Sequence, residues 1–332
     1  MRIAFIISET YCISPYNGIR IQAQTWGEEL KRQGHDVIYV SPWDSQDWEA
    51  FDIIHLIGYN EVLMDLDGLY KRNRHIVFSP IIDSMQNVYL YKLMTHWGCN
   101  KLRLKSTNYV IRQASQYIQH WYVRSEFEYR YVNIAYGIPK SRITIIPLSY
   151  KIVPPVSMAE KKKYCLHVSK LTDTRKNVLR LVKAARKYGF DLVLAGSISS
   201  EESFAPIKGI IDSCPNITYL GRVSDETLLS LYKEAKVFAL PSINEGVGLV
   251  ALEAAACGCD IVVTKIGGPK EYYDGMAYVI DPLDVDDIGK SVLEALEAND
   301  RQPKLRNWVV GQYGLEKCMN KLLDSYKEVY AR

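Results

Sequence analysis

The stretch Pro241-Ser242-Ile243-Asn244-Glu245-Gly246-Val247-Gly248-Leu249-Val250-Ala251-Leu252-Glu253-Ala254 decides how the chain is read. It begins where the apolar run Val237 to Leu240 stops, passes two glycines, and enters an alanine-rich run that predicts a helix from Leu249 to Cys257. Strand, glycine loop and helix start, in that order, suit an anion. The first backbone N–H groups of a helix have no partner within it and sit at the positive end of its dipole. Gly246 and Gly248 lack a Cβ, so a ligand approaches the backbone closely. A phosphate or diphosphate fits there, with Gly246, Gly248, Leu249 and Val250 supplying N–H donors. Glu245 and Glu253 bracket the turn. An ionised carboxylate only accepts hydrogen bonds, so these two suit hydroxyls beside the phosphates. A sugar nucleotide carries both kinds of group.

Outward from this stretch, apolar runs alternate with helical patterns. Tyr164–Val168, Asp191–Ala195, Ile217–Tyr219, Ile261–Thr264 and Ala277–Ile280 read as strands. Lys176–Tyr188, Asp225–Glu234, Asp286–Ala298 and about Asn307–Tyr330 read as helices. The first half repeats the pattern with strands at Arg2–Ser8, Val37–Val40, Asp52–Ile57, His75–Phe78, Trp121–Ser125 and Arg142–Pro147, and a helix at Ile19–Arg32 before Gly34. Ser14-Pro15-Tyr16-Asn17-Gly18 is turn chemistry. Strands alternating with helices predict parallel βαβ units. The fold class is therefore α/β, two Rossmann-like doubly wound domains facing across a cleft: residues 1–150, with a C-terminal helix at about 311–332 packing back on them, and residues 151–310. Pro147 to Lys163, with Pro154-Pro155 and three consecutive lysines, has the composition of a linker. Ligands of such sheets bind beyond the carboxyl ends of the strands. One substrate on each side of a cleft suits a reaction between two substrates.

The chain has 332 residues, enough for two domains, and a net charge of +3, too small to call for nucleic acid. Seven scattered cysteines show no disulfide-framework spacing and point to reduced thiols in a cytosolic protein. Cys257-Gly258-Cys259 reads as packed thiols or a metal pair without a matching His or Cys cluster. No signal peptide and no membrane span is predicted, so any membrane contact is peripheral. Residues 85–145 differ from the rest, with nine Lys and Arg against two acids and eleven aromatics interleaved. This reads as solvated helix faces over core aromatics, or as a basic aromatic face for anionic lipid headgroups or a lipid-phosphate acceptor. No RNA-binding signature accompanies the charge.

Four blocks of the second half, in order, resemble the retaining GT-B glycosyltransferases of family 4. They are Val168-Ser169-Lys170 through Lys176-Asn177, Leu220-Gly221-Arg222-Val223-Ser224 with Leu228 and Tyr232, Pro241 through Glu253 with two glutamates, and Gly267-Gly268-Pro269-Lys270-Glu271. The first half is similar more loosely, through Tyr16-Asn17-Gly18-Ile19 and Gly34-His35-Asp36-Val37. It lacks the usual second glycine, has Ser79-Pro80-Ile81-Ile82-Asp83 where many members carry a histidine facing the acceptor, and has Pro147-Leu148-Ser149 in place of Pro-Asn-Gly. Lys170 stands where the family mostly has Arg, so a forked contact becomes a point charge.

The resemblance implies transfer of a hexose from a nucleoside-diphosphate sugar, UDP- or GDP-linked, to a saccharide or lipid-linked acceptor, with no metal and no cofactor. Growing charge on a departing diphosphate then falls to Lys170, Lys176 and the helix N-terminus. A lysine near a helix start is unhelpful to that helix, which favours a ligand role for Lys176 over a solvated first-turn residue. Glu253 is expected at a ribose hydroxyl, Glu245 beside the hexose, Arg222 and Val223 bordering the base, and Gly18 beside the donor. Asp83 is either a solvated loop acid or the residue that orients or deprotonates an acceptor hydroxyl. Asp65-Leu66-Asp67 mimics a metal-binding pair but lies in a predicted helix before Gly68. A nucleotide-sugar epimerase, and a binding protein that keeps the fold without turnover, are the alternatives.

Overall fold

The computed structural model describes residues 1–13, 17–41, 43–99 and 104–332. Ser14, Pro15 and Tyr16 of the expected turn, and Lys101 and Arg103 of the basic segment, lie outside the described residues. The chain divides into two compact units, residues 1–148 with 315–332, and residues 149–314.

In the first unit β1 (Arg2–Ile6), α1 (Gly18–Arg32), β2 (Asp36–Tyr39), β3 (Ile53–Ile57), α2 (Leu66–Arg72), β4 (Ile76–Ser79) and α3 (Val88–Thr95) follow in turn. The short antiparallel pair β5 (Gly98–Cys99) and β6 (Leu104–Lys105) precedes α4 (Thr107–Ala114), β7 (His120–Val123), α5 (Glu126–Arg130) and β8 (Ile143–Ile145). The sheet order is β2-β1-β3-β4-β7-β8, parallel throughout. Strands such as β3, buried at every position, read as apolar runs because helices cover both faces.

The second unit holds β9 (Lys162–Val168), α6 (Val178–Tyr188), β10 (Leu192–Ala195), α7 (Glu201–Ile211), β11 (Ile217–Tyr219) and α8 (Asp225–Glu234). It continues with β12 (Ala235–Leu240), α9 (Leu249–Ala256), β13 (Asp260–Thr264), β14 (Tyr278–Ile280), α10 (Val285–Glu297) and α11 (Lys304–Tyr313). Its sheet order is β11-β10-β9-β12-β13-β14, again all parallel. The order reverses between β9 and β12, and a crevice for a ligand forms where two such neighbouring connections leave in opposite directions.

Four local expectations are corrected. The lysine run is not linker: β9 starts at Lys162, and the Lys161 ammonium donates to the carbonyls of Tyr232 (3.0 Å) and Cys257 (2.9 Å). Lys176 is not in the first turn of α6 but in a 3-10 turn before it, because Asn177 adopts a left-handed φ of 60° and interrupts the helical path. Helix α2 runs through Gly68 rather than ending before it. The last predicted helix is two, α11 and α12 (Leu315–Tyr330), divided at the non-helical Gly314.

Helix α12 belongs to the first unit and is docked by polar groups as well as apolar ones. Tyr326 Oη lies 2.5 Å from Nδ1 of His55 on β3, whose Nε2 lies 2.8 Å from Ser79 Oγ on β4. Tyr122 donates to Ser325 at 3.0 Å. Burial pushes the His55 imidazole down to about 3, so it is neutral, with one ring nitrogen donating and the other accepting.

Candidate active site

The two loops at the β9/β12 reversal carry most of the residues singled out by sequence. The loop after β9 holds Lys170 and ends at Lys176; the loop after β12 holds Glu245, Gly246 and Gly248. They are tied together. Lys176 Nζ donates to Glu245 Oε2 at 2.5 Å, and Ser242 donates to the same oxygen at 3.1 Å. The Ile243 N–H donates to the Arg175 carbonyl at 2.8 Å.

Asn177, which is buried, makes the tie rigid. Its Nδ2 donates to the carbonyls of Pro241 (2.9 Å) and Pro282 (2.6 Å), and its Oδ1 accepts from Arg180 at 2.9 Å. Only Gly, and less often Asn or Asp, visits the left-handed region readily. That requirement gives Asn at position 177 a physical reason. Asn177 and Ser242 were quoted in the matching blocks but not singled out; their signal is backbone geometry, which a sequence does not display.

Backbone packing then shapes the glycine positions. Gly248 caps α9 with φ 78° and offers no side-chain cap. Ala251 and Leu252 donate back to the Gly248 carbonyl, which leaves the Leu249 and Val250 N–H groups for a ligand or water. Glu245 and Gly267 form a parallel bridge, and a Cβ on Gly267 would stand 1.9 Å from the Glu245 carbonyl oxygen. Gly196, at the end of β10, is under the same pressure: a Cβ there would meet the Ser169 carbonyl at 1.8 Å.

Glu253 lies on α9 and is only 9% exposed. Its carboxylate accepts from the Lys151 N–H and the Tyr232 hydroxyl, both at 3.4 Å, which is long for a hydrogen bond. Burial raises its pKa, and those two contacts pull the other way. Hydroxyl donors from a ligand would favour the charged form further. Behind the loop, His167 on β9 is buried and its pKa is lowered to about 4, chiefly by burial. Its Nδ1 lies 2.8 Å from the Ala239 carbonyl, so Nδ1 donates and Nε2, at 2.7 Å, accepts from Ser169. It fixes the turn that presents Lys170. No sequence pattern marked it.

Lys170 is exposed and forms no ion pair among the described residues, which leaves its charge for a ligand. Arg222, exposed, and Val223 follow β11 on the same edge of the sheet.

The other two expected residues belong to the first unit. Gly18 opens α1, where Asn17 Oδ1 accepts from the N–H groups of Ile19 (2.9 Å) and Arg20 (3.2 Å), and nothing lies within 4 Å of a Cβ placed on it. Asp83 is an exposed loop acid that is also ion-paired: it accepts from Arg124 Nη2 at 2.7 Å. The buried Glu128 carboxylate accepts from the backbone N–H groups of Ile82 (2.5 Å) and Arg124 (2.6 Å), and from the Arg124 guanidinium. Burial works against the Arg124 charge, but Glu128 and then Asp83 outweigh it and hold its pKa above the ordinary value. Beside them Ile81 has a φ of 55°, an outlier for a β-branched residue. This loop and helices α3 and α4 border an open cavity of about 490 Å³ lined by Tyr11, Tyr59, Asp83, Met85, Tyr91 and Met94 among others. Asp67, in the stretch that only mimics a metal-binding pair, accepts from Lys71 one turn on.

Residues 151–326 match the family model described as glycosyl transferases group 1. The chain belongs to that family. Among curated relatives it is 28% identical over 202 residues to O-antigen chain mannosyltransferase B of Escherichia coli, covering 57% of this chain and 51% of that one. It is also 28% identical over 160 residues to D-inositol 3-phosphate glycosyltransferase of Mycolicibacterium smegmatis, covering 46% and 36%. The chain thus spans about half or less of the length of these relatives. Solved structures are alike along the whole chain. Sucrose-phosphate synthase from Thermosynechococcus elongatus has a TM-score of 0.73 at 17% identity and covers 100% of both chains. Anabaena HepE in complex with UDP has a TM-score of 0.74 at 12% identity, covering 99% of this group 1 chain and 100% of that one. At these identities the likeness is one of fold, and that fold is GT-B.

Proposed function

We propose that this group 1 glycosyltransferase moves a hexose, with retention and without a metal, from a UDP- or GDP-linked sugar to a saccharide or lipid-linked acceptor. Cell-surface polysaccharide or glycolipid synthesis on the cytoplasmic side of a membrane is the setting that suits such an acceptor. The observation that carries the reading is the Lys176–Glu245 tie across the β9/β12 reversal, beside the uncapped start of α9. An ammonium has three N–H donors. Lys176 therefore keeps donors for a diphosphate while Glu245 holds it in place, and Lys170 adds a second cation. The diphosphate takes the N–H groups of Gly246, Gly248, Leu249 and Val250. Glu253 accepts from the ribose hydroxyls, Glu245 stands beside the hexose, and Arg222 and Val223 border the base. From the first unit, Gly18 approaches the donor and Asp83 addresses the acceptor hydroxyl.

In the transfer, the bond from the anomeric carbon to the diphosphate oxygen breaks and a bond to the acceptor oxygen forms. The acceptor proton passes to the departing diphosphate. Charge grows on that leaving group, so cations and fixed dipoles aimed at it stabilise the transition state more than the ground state. The names of the relatives, an O-antigen mannosyltransferase and an inositol-phosphate glycosyltransferase, support a saccharide or polyol acceptor, and the UDP complex of HepE supports a nucleotide donor. The test is transfer of labelled sugar from a panel of UDP- and GDP-sugars to a membrane extract. Glu253→Ala and Lys176→Ala are each expected to abolish most transfer; both leaving it unchanged would overturn the reading.

A further inference from the structure

Most of the basic aromatic segment is not a surface. Trp121, Tyr122, Tyr131, Tyr136 and Tyr91 are buried in the core of the first unit, and Arg124 is spent on Glu128 and Asp83. Arg142 is turned inward, donating to the carbonyls of Gln119, Ser115 and Ile118. The large apolar side chains that stay exposed are concentrated on and beside one helix. On α3, Tyr89 is 66% exposed, Leu90 52% and Leu93 68%, and Trp97, on the turn that follows, is 78% exposed. At 3.6 residues per turn the three helical positions fall within an arc of roughly 100°. The opposite side of the helix, Val88, Tyr91 and Thr95, is buried. Helix α3 is apolar on both faces, and the outer face has no cover among the described residues.

We infer that this outer face of α3 lies in the interface of an anionic lipid membrane. Charge selects that partner. From Ser84 to Ser125 the sequence contains no Asp or Glu and six Lys or Arg. Lys92, His96 and Lys105, near the apolar arc, are exposed. A helix with Trp, Tyr and Leu on one side and cations at its margin is built to sit shallowly at headgroup depth, and basic residues there are attracted to anionic lipid. A single eight-residue helix also offers far less than the about 800 Å² per partner of a stable protein interface.

The same helix walls the cavity that contains Asp83, through Tyr91 and Met94, and Met85, which also lines it, is 60% exposed. Docking α3 therefore brings the cavity mouth to the lipid, so that the saccharide of a lipid-linked acceptor enters while its tail stays in the bilayer. That last step rests on the proposed function; the docking itself does not.

Flotation of the full chain with vesicles tests the docking. Binding to vesicles of phosphatidylcholine mixed with phosphatidylglycerol is expected to exceed binding to phosphatidylcholine alone, and to weaken in high salt. Leu93→Asp combined with Trp97→Ser should reduce it about tenfold or more. Lys92→Glu, a milder change at an exposed site, should reduce it less. A UDP or GDP thermal shift equal to that of the unaltered chain confirms that the variants are folded. Equal binding by the unaltered chain and the double variant, or none by either, overturns the inference. So does concentration-dependent dimerisation that the double variant abolishes without vesicle binding, which would assign the face to a second copy. Transfer to a detergent-dispersed acceptor by a chain that ignores vesicles would sink the docking alone. Vesicle binding without transfer from any donor would sink the proposed function alone.

Discussion

After β9 and β12 the second sheet is shaped by backbone: a left-handed Asn177, Gly267 pressed on the Glu245 carbonyl, and Gly248 at a bare helix start. After β4 the first sheet is shaped by charge, with Ile81 at a positive φ, the Ile82 N–H held by Glu128 and the Asp83 carboxylate by Arg124. Backbone requirements narrow the choice of residue at single positions, so they leave short, ordered blocks in a sequence. A buried ion network needs partners that are distant in sequence, and Asp83 and Arg124 are 41 residues apart.

The largest expected effect comes from breaking the charged side. Arg124→Met leaves Glu128 buried without its cation and should cost about 3–5 kcal/mol of stability, read as a lowered denaturation midpoint in urea. The corresponding break on the backbone side should affect chemistry rather than folding. Lys176→Ala is expected to lower kcat/KM for sugar transfer by about 10²- to 10³-fold while the melting temperature stays nearly constant. Asp83→Asn should weaken transfer through the acceptor and leave nucleotide affinity unchanged. Equal losses of nucleotide affinity in both variants would erase the distinction between the two edges.

Two glycines sharpen it further. Gly267→Ala sets a Cβ against the Glu245 carbonyl at a φ of +93° and should cost about 1–3 kcal/mol. Gly18→Ala meets open space and should change stability by less than about 0.5 kcal/mol. A substantial fall in donor affinity in Gly18→Ala would confirm the role given to that position.

The smallest effect is one of pH. Burial raises the Glu253 pKa above its unfolded value. The stability linked to that group is therefore complete below the ordinary Glu range and is lost as pH rises through the folded value. Glu253→Gln should melt higher than the unaltered chain near neutral pH, the gap should close on acidification, and nucleotide binding should be impaired throughout. A gap that widens on acidification would mean the carboxylate is stabilised by partners in the free protein.

Much of this was legible in the sequence. The alternation of apolar runs located the twelve strands of the two main sheets to within a few residues, because parallel strands buried on both faces are nearly continuous hydrophobic runs. The short pair β5 and β6 was not anticipated. Neither was α7, which carries Pro206 inside it and so breaks the usual helical signature. On the site, Glu245, Glu253 and the glycines were expected from the strand–loop–helix pattern, and Lys170 and Lys176 from the family resemblance. Asn177, His167 and Tyr232 support them through contacts with other strands and loops, which no local pattern encodes. For the aromatics of residues 85–145 composition left two readings open, and packing divides them: five are core, Tyr117, Phe127 and Tyr129 pack against it, and Tyr89 and Trp97 are exposed.

The central claim is that the β9/β12 edge holds a nucleoside diphosphate through its own cations and Glu253. Titration calorimetry of UDP and GDP against the unaltered chain, Lys176→Ala, Glu253→Ala and Asp83→Asn tests it most directly. One of the two nucleotides should bind the unaltered chain and Asp83→Asn alike, and each of the other two variants at least about tenfold more weakly, the loss of one hydrogen bond to a charged group. Equal affinity for all four proteins, or no binding of either nucleotide to any of them, would contradict it.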